Sequence, residues 1–304
     1  MIRKQCSSSI RWSLLAGAAA FVALAAPAPA AAEVRWSIGF ENGELFGDID
    51  GALYARGASV VTDPPAFEGS FSARMEITPQ AIPGSNGHNR VEVKKHFEES
   101  AQEGTESFFG WSFMMPAPTQ THNDIGYFES DQSWSQRVAF FVDPTADGTA
   151  SKLGGRINGS GNFTFDKVLQ PGRWYRLVTH VVWSTDPTVG RVSAWLDGEQ
   201  IVNNMAGKTK SDANRMFVQT GLHRNQREEP VEVIHLDSLV NATTFAEVTQ
   251  PQLVAAADQL AISQLASADE GGCAVASPAG RTSTYGFGLM ALLGLALGLR
   301  RRRS

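Results

Sequence analysis

The sequence predicts an all-β chain, a single domain folded as a sandwich or jelly roll of two antiparallel sheets. Three observations carry that prediction. Helical periodicity is rare between Val34 and Val248, short runs alternating apolar and polar residues recur there, and turn residues separate the runs. The domain, residues 33–248, is also long enough for a full hydrophobic core. In order, the strand pattern falls on Phe71–Ile77, Arg90–His96, Ser107–Met114, Arg137–Val142, Trp174–Trp183, Gly190–Leu196, Met216–Leu222 and Val231–Leu236. Asp197-Gly198, between Trp195 and Ile201, is a hairpin signal because both residues tolerate a left-handed backbone. No internal repeat stands out.

Two of these runs carry chemistry. Side chains alternate faces along a strand, so His88, Arg90, Glu92 and Lys94 share one side and Val91 and Val93 the other. The valines must meet a core, which leaves the four ionisable groups as solvated surface or as the floor of a charge-reading groove. Phe217 to Arg224 repeats the pattern, with Gln219 and His223 on one face and Val218 and Leu222 on the other. Two such strands in one domain suggest a binding surface for an extended, acidic ligand.

The first residues read as a secretory signal over 1–32. Arg3, Lys4 and Arg11 open it, Leu14 to Ala25 forms a short apolar core, and Ala30-Ala31-Ala32 offers a small-residue cleavage site before Glu33. Cys6 precedes the apolar core and leaves with the leader. Residues 249–281 read as a short helix and a linker ending near Gly271-Gly272-Cys273. Residues 282–304 form a hydrophobic segment, uncharged from Thr282 to Leu299 and closed by Arg300 to Arg303. This three-part tail resembles the MYXO-CTERM sorting signals of myxobacterial exported proteins. The resemblance implies processing near Cys273 by the sorting machinery of the envelope, and a product that is secreted and held at the cell surface or outer membrane. An ordinary C-terminal membrane anchor is the other reading. With Cys6 gone, Cys273 is a lone thiol, so neither an intramolecular disulfide nor a cysteine metal cluster can form. The net charge of −5 argues against nucleic acid as a partner. An acidic ligand must therefore be met by a local basic patch. A monomer is expected.

Further segments extend the pattern. Phe40-Glu41-Asn42-Gly43 and Gly69-Ser70-Phe71-Ser72-Ala73-Arg74 open the domain, and Asn89-Arg90-Val91-Glu92 follows. Then come Gly110-Trp111-Ser112-Phe113-Met114-Met115-Pro116 and the long hairpin from Trp174 through Trp195-Leu196-Asp197-Gly198. Val218-Gln219-Thr220-Gly221-Leu222-His223-Arg224 and Ile234-His235-Leu236-Asp237 close the series. In this order they resemble the jelly-roll polysaccharide lyases, the group of heparin lyase I, the glucuronan lyases and the alginate lyases. The resemblance implies a concanavalin-like β-jelly roll and cleavage of an acidic polysaccharide by β-elimination. That reaction needs a neutralised uronate carboxylate, a base for the C5 proton and an acid for the departing glycosidic oxygen.

Arg90 suits the carboxylate, because guanidinium offers a fixed bidentate fork. In these lyases a glutamine or asparagine shares that task, and Gln132 is the nearest candidate by order. The chain departs from the pattern where the base belongs. Trp134 follows Gln132 where the group has histidine, and an earlier placement puts Glu129 and Asp131 there instead. His223 stands where the group has tyrosine, and Gln219 where it has lysine. Histidine exchanges protons near neutral pH, so His223 with His88 replaces the usual pair in this reading. Glu92, Lys94, Gln219, Arg224 and Trp134 are then the expected substrate contacts, with Trp134 stacking on a sugar ring. The same substitutions also fit a carbohydrate-binding or adhesion module that does not cut. A glycoside hydrolase on this fold needs two carboxylates across the groove, and Glu92 shows no such partner in the sequence.

No cofactor is required by this chemistry. Glu41 and Asp237 are candidate positions for a structural Ca²⁺. His180 reads as a hydrogen-bonded structural residue, and His96, His122 and His235 lack the spacing of metal ligands.

Overall fold

Alternation of apolar and polar side chains makes the strands of this domain, and cross-strand register sorts them into two sheets. The computed structural model describes residues 32–249, apart from 48, 54, 82–86, 98–101, 158 and 225–229. In chain order the strands are β1 (Val34–Ile38), β2 (Gly51–Leu53), β3 (Ala58–Val61), β4 (Ser72–Ile77), β5 (Asn89–His96), β6 (Glu106–Met114), β7 (Asn123–Ser130), β8 (Val138–Pro144), β9 (Ser151–Ile157), β10 (Gly161–Leu169), β11 (Trp174–Val182), β12 (Arg191–Leu196), β13 (Glu199–Ala206), β14 (Met216–Arg224) and β15 (Glu232–Ala242). A short helix, α1 (Phe245–Thr249), follows. The expected leader, linker and C-terminal tail, Cys273 included, lie outside the described residues.

One sheet runs β13-β12-β11-β6-β15-β4-β3, with β1 beside β15, and the other runs β10-β9-β8-β7-β14-β5-β2. The pairings are antiparallel, so the predicted jelly roll of two antiparallel sheets is what forms. Each of the eight strands read from the sequence has its counterpart here. Asp197 and Gly198 take φ of 49° and 81° in the turn between β12 and β13, the left-handed pair that a tight hairpin requires. Seven further strands were not read from the pattern, and β7 matters most for function.

The inner faces bury Trp111, Phe113, Leu177, Ile234 and Leu236 against Val91, Val93, Phe128, Phe140, Val218 and Leu222. An aromatic cluster of Trp36, Phe97, Phe109, Phe128 and Trp183 fills one end, with ring centroids 5.4 to 6.3 Å apart. This apolar filling holds the second sheet rigid from behind. Its other face, built from β5, β14, β7, β8 and β9, is free to carry polar groups.

Candidate active site

The valines of β5 enter the core, as the alternation predicts, so Arg90, Glu92 and Lys94 project from the outer face of the second sheet. On β14 the same rule sends Val218 and Leu222 inward and Gln219 and His223 outward. The two strands are direct neighbours. His223 pairs in register with Arg90, and Gln219 with Lys94. A cleft of about 490 Å³ opens over the Arg90 end of this face, and His88, His122, Asp124, Glu129, Trp134, Gln136 and Arg156 share its lining with Arg90 and His223. That volume is within the ordinary range for a ligand site.

His223 is the hub. Arg90 Nη2 lies 3.3 Å from its Nε2, and Gln136 Nε2 lies 3.2 Å from its Nδ1. Asp124 Oδ2 also faces Nδ1, at 3.6 Å. His88 packs edge-on against the ring with centroids 5.1 Å apart. Arg156 holds Asp124 bidentately at 2.7 and 2.6 Å and donates to Gln136 Oε1 at 2.6 Å. Two donors, a guanidinium and an amide, thus face the two ring nitrogens. A neutral imidazole accepts from one of them at a time, and an imidazolium from neither. Burial lowers the His223 pKa; Asp124 opposes that shift and Arg90 reinforces it. The ring is held neutral at pH 7.

The surrounding carboxyls split into two kinds. Burial alone would raise Asp124, but hydrogen bonds with His122, His223 and Arg156 hold it far below the usual carboxylate range. Glu92 is 1 % exposed, and burial pushes its pKa up to about 8 although Arg90 Nε stands 3.8 Å away. Burial raises Glu129 to about 7 against the pull of Arg90 and Lys94. Burial, then Glu92 and Glu129, drives the Tyr127 phenol up as well. His122 goes the other way, raised chiefly by its bond to Asp124 and also by Asp143 at 2.8 Å. At neutral pH, then, Glu92 keeps its proton, Asp124 is matched by Arg156, and the fixed charge left in the cleft is positive.

The residues expected from the sequence do not all converge. His88, Arg90, His223 and Trp134 meet in the cleft, with Trp134 63 % exposed at its rim. Glu92, Lys94 and Gln219 lie on the same face but off the cleft. Lys94 sits 4.5 Å over the Phe217 ring and 3.9 Å from Asp131, while Gln219 is buried beneath it. Gln132 is exposed in the turn after β7 and is not among the residues that line the cleft. The glutamine that touches His223 is Gln136, just before β8. Arg224 borders the cleft, but its buried Nη1 donates to Glu232 Oε2 at 3.1 Å, an ion pair linking β14 to β15. Its alternation partner His223 faces out, so Arg224 is turned inward.

Glu41 and Asp237 both hold backbone N–H groups. Glu41 accepts from the backbone N–H groups of Ser70 and Phe71, and Asp237 from those of Glu68 and Ser238. Among the described residues no group of three His, Cys, Asp or Glu side chains is placed to hold a metal ion. His180 is structural as expected, bonded to Glu106 at 2.8 Å and stacked on Phe108. His96 is clasped between Asp50 and Asp131 at 2.6 and 2.8 Å.

Asp124, Gln136, Arg156 and His122 escaped the sequence reading. They come from β7, the turn before β8, β9 and the approach to β7, and each is an isolated polar residue with no motif around it. The polar residues Asp124 and Gln136 flanking the apolar strands were the available signal.

No curated protein matches this sequence. Among solved structures, an endo-β-1,4-glucuronan lyase from the fungus Trichoderma reesei superposes with a TM-score of 0.55 at 20% identity, over 71% of this chain and 98% of that one. The catalytic domain of a glycoside hydrolase family 131 protein from Coprinopsis cinerea does so with a TM-score of 0.50 at 14% identity, over 70% of this chain and 95% of that one. These likenesses show the fold, and they show that one fold serves both lyases and hydrolases. The family model is what separates the two: the model described as "Polysaccharide lyase" matches residues 37–240, more than half of the chain, so this chain belongs to the polysaccharide lyase family, a family of carbon–oxygen lyases.

Proposed function

We propose that the protein cleaves an acidic, uronate-containing polysaccharide by β-elimination in the cleft on the second sheet. The observation that carries this is the contact between Arg90 and His223, a carboxylate-binding fork 3.3 Å from a neutral imidazole. A uronate carboxylate docked on Arg90 has its charge offset, which acidifies the C5 proton beside it. The same docking displaces the guanidinium from Nε2. With its proton on the Asp124 side, His223 then offers the Nε2 lone pair to C5–H. In this reading His88, edge-on to His223 at the cleft wall, protonates the leaving glycosidic oxygen. Proton and leaving group depart as a C4–C5 double bond forms in the uronate. His122 and Arg156 extend positive charge along the cleft, and Trp134 gives a stacking face at its rim.

The glucuronan lyase with the same fold makes a β-1,4-linked glucuronate chain the first polymer to test. Export and retention at the cell surface belong to this proposal and rest on the leader-like and tail-like segments of the sequence. The test is the ultraviolet absorbance of unsaturated uronates during incubation with glucuronan, alginate and heparin. Absorbance should rise on at least one polymer, and His223→Ala should slow the rise by about 10²–10⁴-fold with the fold intact. No rise on any polyuronate, or full activity in His223→Ala, refutes the assignment.

A further inference from the structure

The opposite side of the sandwich carries a second cavity that this reaction does not use. Arg74, His235 and Met114 form a row across β4, β15 and β6, because His235 pairs in register with both of the others. Ile234 and Leu236, on either side of His235, enter the core. The row therefore faces away from the core, and away from the catalytic cleft. Asp63, Pro64 and Pro116 wall it into a cavity of about 400 Å³. The Asp63-Pro64 wall is anchored next door, where Trp174 Nε1 donates to the Pro65 carbonyl at 3.0 Å and Phe67 packs edge-on against the Trp174 ring.

The floor of this cavity is polar and incompletely bonded. His235 is 2 % exposed, and its Nδ1 has no hydrogen-bond partner among the described residues. Buried polar atoms in folded proteins are rarely left this way. Burial, with Arg74 alongside, pushes the His235 pKa down to about 4, so the ring is neutral and offers one donor and one acceptor. Arg74 is half-exposed and gives Nη2 to Glu76 at 2.5 Å. A planar guanidinium has five N–H donors, and that one contact leaves a fork suited to a carboxylate. Asp63, exposed at the mouth, can accept from hydroxyls. Met114, Pro64 and Pro116 supply apolar surface for the C–H face of a sugar ring.

We propose that this cavity is a second, non-catalytic binding site for one acidic sugar unit, with its carboxylate on Arg74, its hydroxyls on His235 and Asp63, and its C–H face on Met114 and the two prolines. The choice of an acidic sugar rests on the polyuronate reading above. Such a site tethers a polymer to one face of the domain while the other face cuts. It should lower KM for long chains and leave KM for short ones unchanged.

Titration calorimetry with a glucuronate trisaccharide tests this in an Arg90→Ala protein, where the cleft has lost its carboxylate fork. One trisaccharide should bind, and a neutral glucose trisaccharide should not. Affinity should fall by about tenfold or more when Arg74→Ala or His235→Gln is added. In the otherwise unaltered enzyme, Arg74→Ala should raise KM for the polymer and not for the trisaccharide. Arg74 lies at the surface, so its variant carries the test if His235→Gln does not fold. Unchanged affinity on loss of Arg74, or no trisaccharide binding once Arg90 is gone, overturns the proposal. Absence of unsaturated product with Arg74-dependent binding intact would defeat the lyase reading and leave this site standing.

Discussion

His223 sits between two donors and one carboxylate, and those contacts decide how it titrates. Burial and Arg90 lower its pKa while Asp124 raises it. As the base we propose, His223 must be neutral to act, so activity should hold as pH falls to below the ordinary histidine value of 6.5 and then drop. Asp124→Asn removes the raising influence. The acid limb of kcat/KM should move to still lower pH, and kcat should fall on the order of tenfold as the ring loses its orientation. A pH–rate profile of the variant checks this; a limb that stays put or rises removes Asp124 from the base's control. Arg90 and His223 could be read in the sequence because each lies in a strand whose alternation and motif mark its face. Asp124, Gln136 and Arg156 could not, because only tertiary packing brings them to His223. Arg224 borders the same cleft, and its ion pair with Glu232 was not legible in the motif because it joins two strands.

Strand β14 is the element on which the site depends. Its register with β7 shifts between Thr220 and His223, and Gly221 lies in the shifted stretch with φ of 146°. A Cβ on Gly221 would stand 2.1 Å from the Val91 carbonyl oxygen of β5. Only glycine lets the two strands approach there while His223 is carried over Arg90. Gly221→Ala should destabilise the domain by about 1–3 kcal/mol in urea unfolding and cost most of the lyase activity. Full activity with unaltered stability would mean the strands can part locally without moving His223. Strand β7 shows why part of the site was hidden. All its residues are buried, Ile125 and Phe128 in the core, Asp124 and Glu129 at the cleft, and Tyr127 against the His223 ring. Its register with β8 also shifts between Asp124 and Gly126. A strand buried on both faces and interrupted by a register shift has no clean two-residue period to detect.

At the scale of the domain, burial shifts three carboxyls among the described residues toward their protonated form. Burial raises Glu92 to about 8, and Glu129 and Asp237 to about 7. In the unfolded chain a glutamate such as Glu92 ionises near 4.5. Between those values the folded state binds more protons than the unfolded state, so stability falls as pH rises. In thermal unfolding, the Tm of the wild type should therefore lose ground to that of Glu92→Gln as pH rises from about 4.5 to 8. Wild type and variant should converge below pH 4.5 and separate most at pH 8, with the variant the more stable. Parallel Tm–pH curves would mean that Glu92 ionises in the fold as it does in the unfolded chain.

By itself the sequence determined the all-β character, eight of the strands, the hairpin at Asp197-Gly198 and the outward row that contains Arg90. These are local properties. Which face a side chain takes follows from covalent geometry within its own strand, and a turn from the backbone freedom of two residues. The tertiary structure alone decided that β5 and β14 are neighbours, that Arg90 meets His223, and that Gln136 rather than Gln132 stands at the ring. It also decided that Arg156 and Asp124 complete the network and that Arg224 does not join it. Those outcomes depend on the register between strands far apart in the chain. That register is set by how two apolar faces pack and by where a glycine permits a close approach, and neither is written within any one strand.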